Sequence, residues 1–133
     1  APDFDAFLQD NAAWMTTPRL CYYLAGLCRE KGRTAGEVIR LAGLDRTYGY
    51  QLFNGTRKPS RDKLIQICFG LELSVVEAQA LLKMGEKSPL YPKILRDAAI
   101  MRCLHDEKTL LQVQELLDRL GLTLLDGGER HEG

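Results

Sequence analysis

The stretch TAGEVIRLAGLDRTYGYQLFNG, residues 34 to 55, carries two helix starts on either side of one glycine turn. Thr34-Ala-Gly-Glu37 reads as a capping box, in which the hydroxyl and the carboxylate each satisfy a backbone N–H that the first turn leaves without a partner. The helix it opens runs to about residue 42. Gly43-Leu44-Asp45 then reverses the chain: glycine permits the backbone turn, Leu44 seals the angle between the helices, and Asp45 caps the second helix, 46–54. Two nine-residue helices around a three-residue turn have helix-turn-helix spacing. In such a unit the second helix presents its N-terminal residues to base edges in the major groove.

The same device recurs outward from this unit. Ser74-Val-Val-Glu77 and Thr109-Leu-Leu-Gln112 are further capping boxes, and Ser60 with Asp62 supplies another N-cap. Pro18 and Pro92 suit first-turn positions, and stops are expected at Gly32, Gly43, Gly55, Gly70, Gly85 and Gly121. The reading is eight helices, at about 3–13, 18–31, 34–42, 46–54, 60–70, 74–84, 91–105 and 109–120. Strand alternation is absent, so the class is all-α. Leu20, Leu24 and Leu27, and Leu64, Ile67, Cys68 and Leu71, recur at helical spacing as core positions. The chain divides into an N-terminal helical appendage (1–17), a helix-turn-helix domain (18–85), a C-terminal helical pair (86–125) and a frayed tail (126–133).

Between about residues 19 and 85 the sequence resembles the Cro/repressor-like helix-turn-helix regulators. The resemblance rests on the stem RLCYYLAGLCREKGRT, the glycine turn, and YQLFNGTRKPS. The pattern Q-aliphatic-x-N-G-x-R-x-P-S is much more specific than the spacing alone. It implies a five-helix domain that binds double-stranded DNA as a transcriptional regulator. Carried over position by position, Arg46, Thr47 and Gln51 match base-contacting positions, with Tyr50 beside them. Asn54, Gly55, Thr56, Arg57 and Lys58 match the stretch that approaches phosphates. The chemistry agrees: Arg pairs with guanine, Gln with adenine, and the Thr methyl meets a thymine methyl.

Two departures matter. The family's usual Gln at the start of the first motif helix, a phosphate contact, is Ala35 here, so that clamp is missing. The usual small residue midway along that helix is Ile39, and the usual aliphatic residue in the recognition helix is Gly49. Read together, the second pair is a large-for-small exchange across the helix contact.

The formal net charge is zero, but its placement is uneven: residues 19–71 hold ten Lys and Arg against four acids, while both flanking segments are net acidic. A positive block between acidic ends fits a DNA-facing module. The acidic start APDFDAFLQDN lacks the basic and apolar regions of a secretory signal, and no apolar run reaches the length of a membrane span; a cytoplasmic protein is expected. Cys21, Cys28, Cys68 and Cys103 show no zinc-site spacing and sit among apolar neighbours as core residues. No metal, cofactor or small-molecule ligand is implied. No phosphate loop or nucleophile elbow is present, and His105-Asp106-Glu107 falls at a helix end, so no enzyme is expected.

In the last third, Leu110, Val113, Leu117, Leu120 and Leu124 follow a 3-4-3-4 rhythm, widened by Leu111 and Leu116. The stripe covers either a second copy, giving the homodimer that regulators of this kind need for two half-sites, or helix 91–105 of its own chain. The competing function is a helix-turn-helix fold turned to protein binding without DNA, which the neutral charge, Ala35 and Gly49 favour.

Overall fold

A computed structural model describes residues 19–126, and every element within them is a helix. α1 spans residues 19–31. It is followed by α2 (Ala35–Leu41), α3 (Arg46–Asn54), α4 (Arg61–Gly70), α5 (Val75–Met84), α6 (Leu95–His105) and α7 (Leu110–Arg119). The helix expected at 3–13, Pro18 and the tail beyond Asp126 lie outside the described residues.

Local chemistry accounts for most of the helix starts. Thr34, Ser74 and Thr109 each accept a bond from the backbone N–H three residues on, and Glu37, Glu77 and Gln112 reach back to complete the boxes. Asp45 and Ser60 cap α3 and α4 through Tyr48 N and Lys63 N. α6 departs from the expected start near residue 91: it begins at Leu95, with no side-chain cap at Ile94. The reason is tertiary. The Asp97 carboxylate accepts the Tyr91 N–H at 3.0 Å and pairs with Arg61, which folds residues 91–94 into a turn.

α4 is the central helix, buried at every position from Lys63 to Gly70. α2, α5 and α7 pack on it, α3 packs on α2, and α6 bridges α5 and α7. α4 ends at Gly70 and Gly85 is the C-cap of α5, as expected of stops, and both glycines also serve close packing. A β-carbon at Gly70 would lie 2.6 Å from the Val38 carbonyl oxygen, and one at Gly85 would lie 2.4 Å from Leu64 Cδ1. The left-handed positions past α4 and α5 are taken by Glu72 and Glu86 instead.

The last third shares this core. Leu90, Ile100, Leu104, Val113, Leu117 and Leu125 are buried in one cluster with α1, α2, α4 and α5. Leu110, at the start of α7, covers the α2–α3 turn so closely that a β-carbon at Gly43 would lie 2.5 Å from its Cδ2. Of the leucine stripe, Val113 and Leu117 face inward, while Leu111 and Leu120 stay exposed. Asp126, assigned to the tail from sequence, is held: its N–H donates to Asp62 and its carboxylate pairs with Lys63. No helix of the described residues is long and apolar enough to cross a membrane.

Candidate nucleic-acid interface

The turn that sets α3 against α2 is built from backbone bonds and one apolar plug. Gly43 takes φ 68°, which glycine adopts without a steric penalty. Gly43 N donates to Arg40 O at 3.1 Å and Leu44 N to Ile39 O at 3.0 Å, closing the end of α2. Leu44 is buried beneath the turn. From α4, the Gln66 amide donates to Ala42 O at 2.9 Å and so satisfies the carbonyl that the helix end leaves over.

Helical periodicity then decides which side chains of α3 point away. At about 100° per residue, Arg46, Tyr50, Asn54, Thr47 and Gln51 fall within an arc of about 140°. Gly49 and Leu52, on the opposite arc, are buried against the core. Arg46, Thr47, Tyr50 and Asn54 are exposed and Gln51 is half-buried. Tyr50 leans back from this face, since its hydroxyl oxygen would lie 2.8 Å from a β-carbon on Gly36, and the Arg46 guanidinium lies 5.8 Å from its ring centre. Between α2 and α3 runs an open groove of about 500 Å³, bordered by Glu37, Arg40, Arg46 and Tyr50.

Past α3 the chain hooks back. Gly55, at φ 86°, turns it, and Thr56 N and Arg57 N both donate to the Gln51 carbonyl. Asn54 Oδ1 accepts from Thr56 N at 2.9 Å and from Thr56 Oγ1 at 2.6 Å. The hook delivers Arg57 to the edge of α3, where its Nε donates to Gln51 Oε1 at 2.9 Å. The same guanidinium lies 5.1 Å from the ring centre of Tyr48, which also carries the Lys63 ammonium at 4.7 Å. Thr56, Arg57 and Lys58 are exposed, whereas Pro59 is buried and anchors the hook.

The charge block of residues 19–71 is sorted by the fold. Lys31, Arg33, Arg61 and Lys63 are drawn into ion pairs with Glu77, Glu72, Asp97 and Asp126, all from the acidic last part of the chain. Arg40, Arg46, Arg57 and Lys58 remain exposed around α2, α3 and the hook. A zero net charge therefore coexists with a positive face. Glu37, at its rim, is held below the usual carboxylate range, chiefly by the Thr34 backbone N–H that it accepts.

The two residues that sequence reading left out are Arg40 and Tyr48. Arg40 had a signal, since it follows Glu37 by three residues on the outer face of α2. Tyr48 had none: its helical position puts it off the outward arc, and its contact with Arg57 depends on the hook. Cys28, Cys68 and Cys103 are buried, and half-buried Cys21 donates to Leu52 O at 3.7 Å. Among the described residues no three His, Cys, Asp or Glu side chains converge as a metal site would. Compared with protein-family models, with curated proteins and with solved structures, the chain finds no match.

Proposed function

We propose that this protein binds double-stranded DNA in the cytoplasm as a transcriptional regulator, with α2, the turn and α3 acting as a helix-turn-helix. On this reading α1–α5 form the repressor-like five-helix unit, and α3 lies in the major groove. Arg46, Thr47 and Gln51 meet base edges with Tyr50 alongside, and the Asn54–Lys58 hook meets phosphates. The protein acts by binding and not by catalysis.

The observation that carries this reading is the sorting of charge. Acids of residues 72–126 pair with Lys31, Arg33, Arg61 and Lys63, while Arg40, Arg46, Arg57 and Lys58 stay exposed around one helix with an outward polar arc, and Arg19 and Arg29 are exposed on α1. Surface cations on a DNA-binding face displace counterions on binding, so affinity for duplex falls steeply with salt. Titration of a mixed-sequence duplex at several salt concentrations is the test, and absence of binding at low salt overturns the reading. A protein-binding module is the second reading, favoured by the exposed Tyr91, Ile94 and Leu95 at the start of α6. It predicts no dependence on duplex at all.

A two-fold dimer belongs to the same proposal, because one recognition helix reads too few bases for useful specificity. Leu111 and Leu120, the exposed members of the α7 stripe and its end, are the surface it assigns to the partner copy.

A further inference from the structure

An isolated glutamine offers one acceptor and two donors, the pattern that matches adenine, whose N7 accepts and whose N6 amino group donates. Gln51 is not isolated. Its Oε1 accepts from Arg57 Nε at 2.9 Å, and that guanidinium is itself placed against the Tyr48 ring at 5.1 Å. Backbone geometry fixes the pairing further, since Thr56 N and Arg57 N both bond to the Gln51 carbonyl and bring the two side chains to one edge. An adenine amino group approaching Gln51 Oε1 would have to share that oxygen with Arg57 Nε and bring its donor hydrogens against the guanidinium charge. With one Oε1 lone pair engaged and the other lying beside a cation, this edge is dominated by donors, the Gln51 amide N–H pair and the terminal N–H groups of Arg57. Guanine presents two acceptors, O6 and N7, and no major-groove donor.

We infer that Gln51 and Arg57 act as one donor unit that reads guanine, which makes Arg57 a specificity-determining residue and not a phosphate contact alone. The inference rests on the DNA-binding reading above and adds to it the base that this edge selects. Tyr48 is the positioning residue that holds the guanidinium beside Gln51.

Selection from random duplex by the full chain, by Gln51→Ala and by Arg57→Met tests it. The base pair at which Gln51→Ala loses its preference is the one that the unit reads. At that pair the unaltered protein is expected to favour guanine over adenine by about tenfold or more, the worth of a good bidentate contact. In Arg57→Met the released Gln51 oxygen accepts from adenine, and the preference passes from guanine to adenine. Arg57 is exposed, so circular dichroism of this variant is expected to match that of the unaltered chain. Adenine preferred by the unaltered protein, or guanine preference undiminished in Arg57→Met, overturns the inference while leaving DNA binding intact. Failure to bind any duplex overturns the DNA reading itself, and this inference with it.

Discussion

Ile39 lies against the backbone of Gly49: a β-carbon at 49 would come within 2.6 Å of Ile39 Cγ2 and 2.7 Å of Cγ1. Both residues are buried where α2 crosses α3. The large residue on one helix and the absent side chain on the other are one packing solution. Glycine within a helix costs about 1 kcal/mol relative to alanine, and the close approach offsets it. Gly49→Ala, which would stabilise an exposed helix, is therefore expected to destabilise here, because β-branched Ile39 has little rotamer freedom with which to yield. Ile39→Ala is expected to cost about 2–5 kcal/mol by opening a cavity, and Gly49→Ile about 1–3 kcal/mol by overpacking. Ile39→Ala/Gly49→Ile should recover part of the loss. Denaturant unfolding of the four proteins measures the coupling, and additive costs would contradict the exchange.

On the proposed DNA-binding reading, Arg46→Ala and Lys58→Ala are expected to separate base from phosphate contact. Arg46 opens α3 on its outward arc, and Lys58 lies on the hook after it. On that reading Arg46→Ala should cost about 1–3 kcal/mol on a selected duplex and relax the sequence preference. Loss of Lys58 should weaken all duplexes alike and lower the salt slope by about one. Isotherms at several salt concentrations distinguish them, and identical behaviour of the two variants would refute the assigned roles.

The ion pairs should differ sharply in worth. Asp97, 3% exposed, accepts from Arg61 at 2.9 Å and from Tyr91 N at 3.0 Å. Asp97→Ala leaves Tyr91 N without its acceptor and Arg61 with only the Ser88 and Pro89 carbonyls and no counter-ion, and is expected to cost about 3 kcal/mol. The Arg102–Asp106 pair, by contrast, lies on the surface of α6, with the Arg side chain 73% exposed. Arg102→Ala should change stability by less than about 1 kcal/mol. Thermal or denaturant melts compare the two, and similar losses would show that burial does not govern these pairs.

Truncation after Gly85 should unfold the protein and not release a stable smaller domain. α7 covers α4 and the α2–α3 turn through Leu110, Val113 and Leu117, and removing it bares Gly43 and one side of the central helix. Far-ultraviolet circular dichroism decides this, and a cooperative native-like melt of residues 1–85 would contradict it. The exposed positions Leu111 and Leu120 are a separate matter. Leu111→Glu/Leu120→Glu is expected to leave the fold intact and to convert a dimer to a monomer by sedimentation, whereas an unaltered chain that is monomeric at high concentration rules the dimer out.

Stability should decline at both ends of the pH range. Glu37 and Glu77 sit below the usual carboxylate range, each chiefly through the N-cap backbone N–H that it accepts, with Lys31 assisting at Glu77. The unfolded chain protonates these groups first as pH falls, so their stabilisation is present above the ordinary carboxylate range and lost as pH drops through the lowered folded values. Glu77→Gln should flatten part of that acid limb. Burial pushes the Cys68 thiol up to about 12. Its contribution is complete below the ordinary thiol range and is lost as pH rises from there towards 12, because only the unfolded chain ionises. Cys68 should also resist thiol reagents until the protein unfolds, and rapid modification of the native state would contradict its burial.

Much of this molecule is written in residues close together in the chain. The capping boxes at Thr34, Ser74 and Thr109, the Gly43 turn and the outward arc of α3 depend on contacts within one helical turn, so the type and order of neighbouring residues suffice to read them. The exchange of Ile39 and Gly49 was legible only as two departures from a family pattern. Other features were decided by the tertiary structure. α6 starts at Leu95 because Asp97 meets Arg61, 36 residues away. Gly70 ends α4, but the demand for glycine there comes from the Val38 carbonyl that passes over it. The ion pairs of the charge block are made to Glu72, Glu77, Asp97 and Asp126, whose partners lie 36 to 63 residues earlier. A helical turn reaches only three or four residues along the chain, whereas burial and charge pairing act through space, so they are set only once the helices have packed.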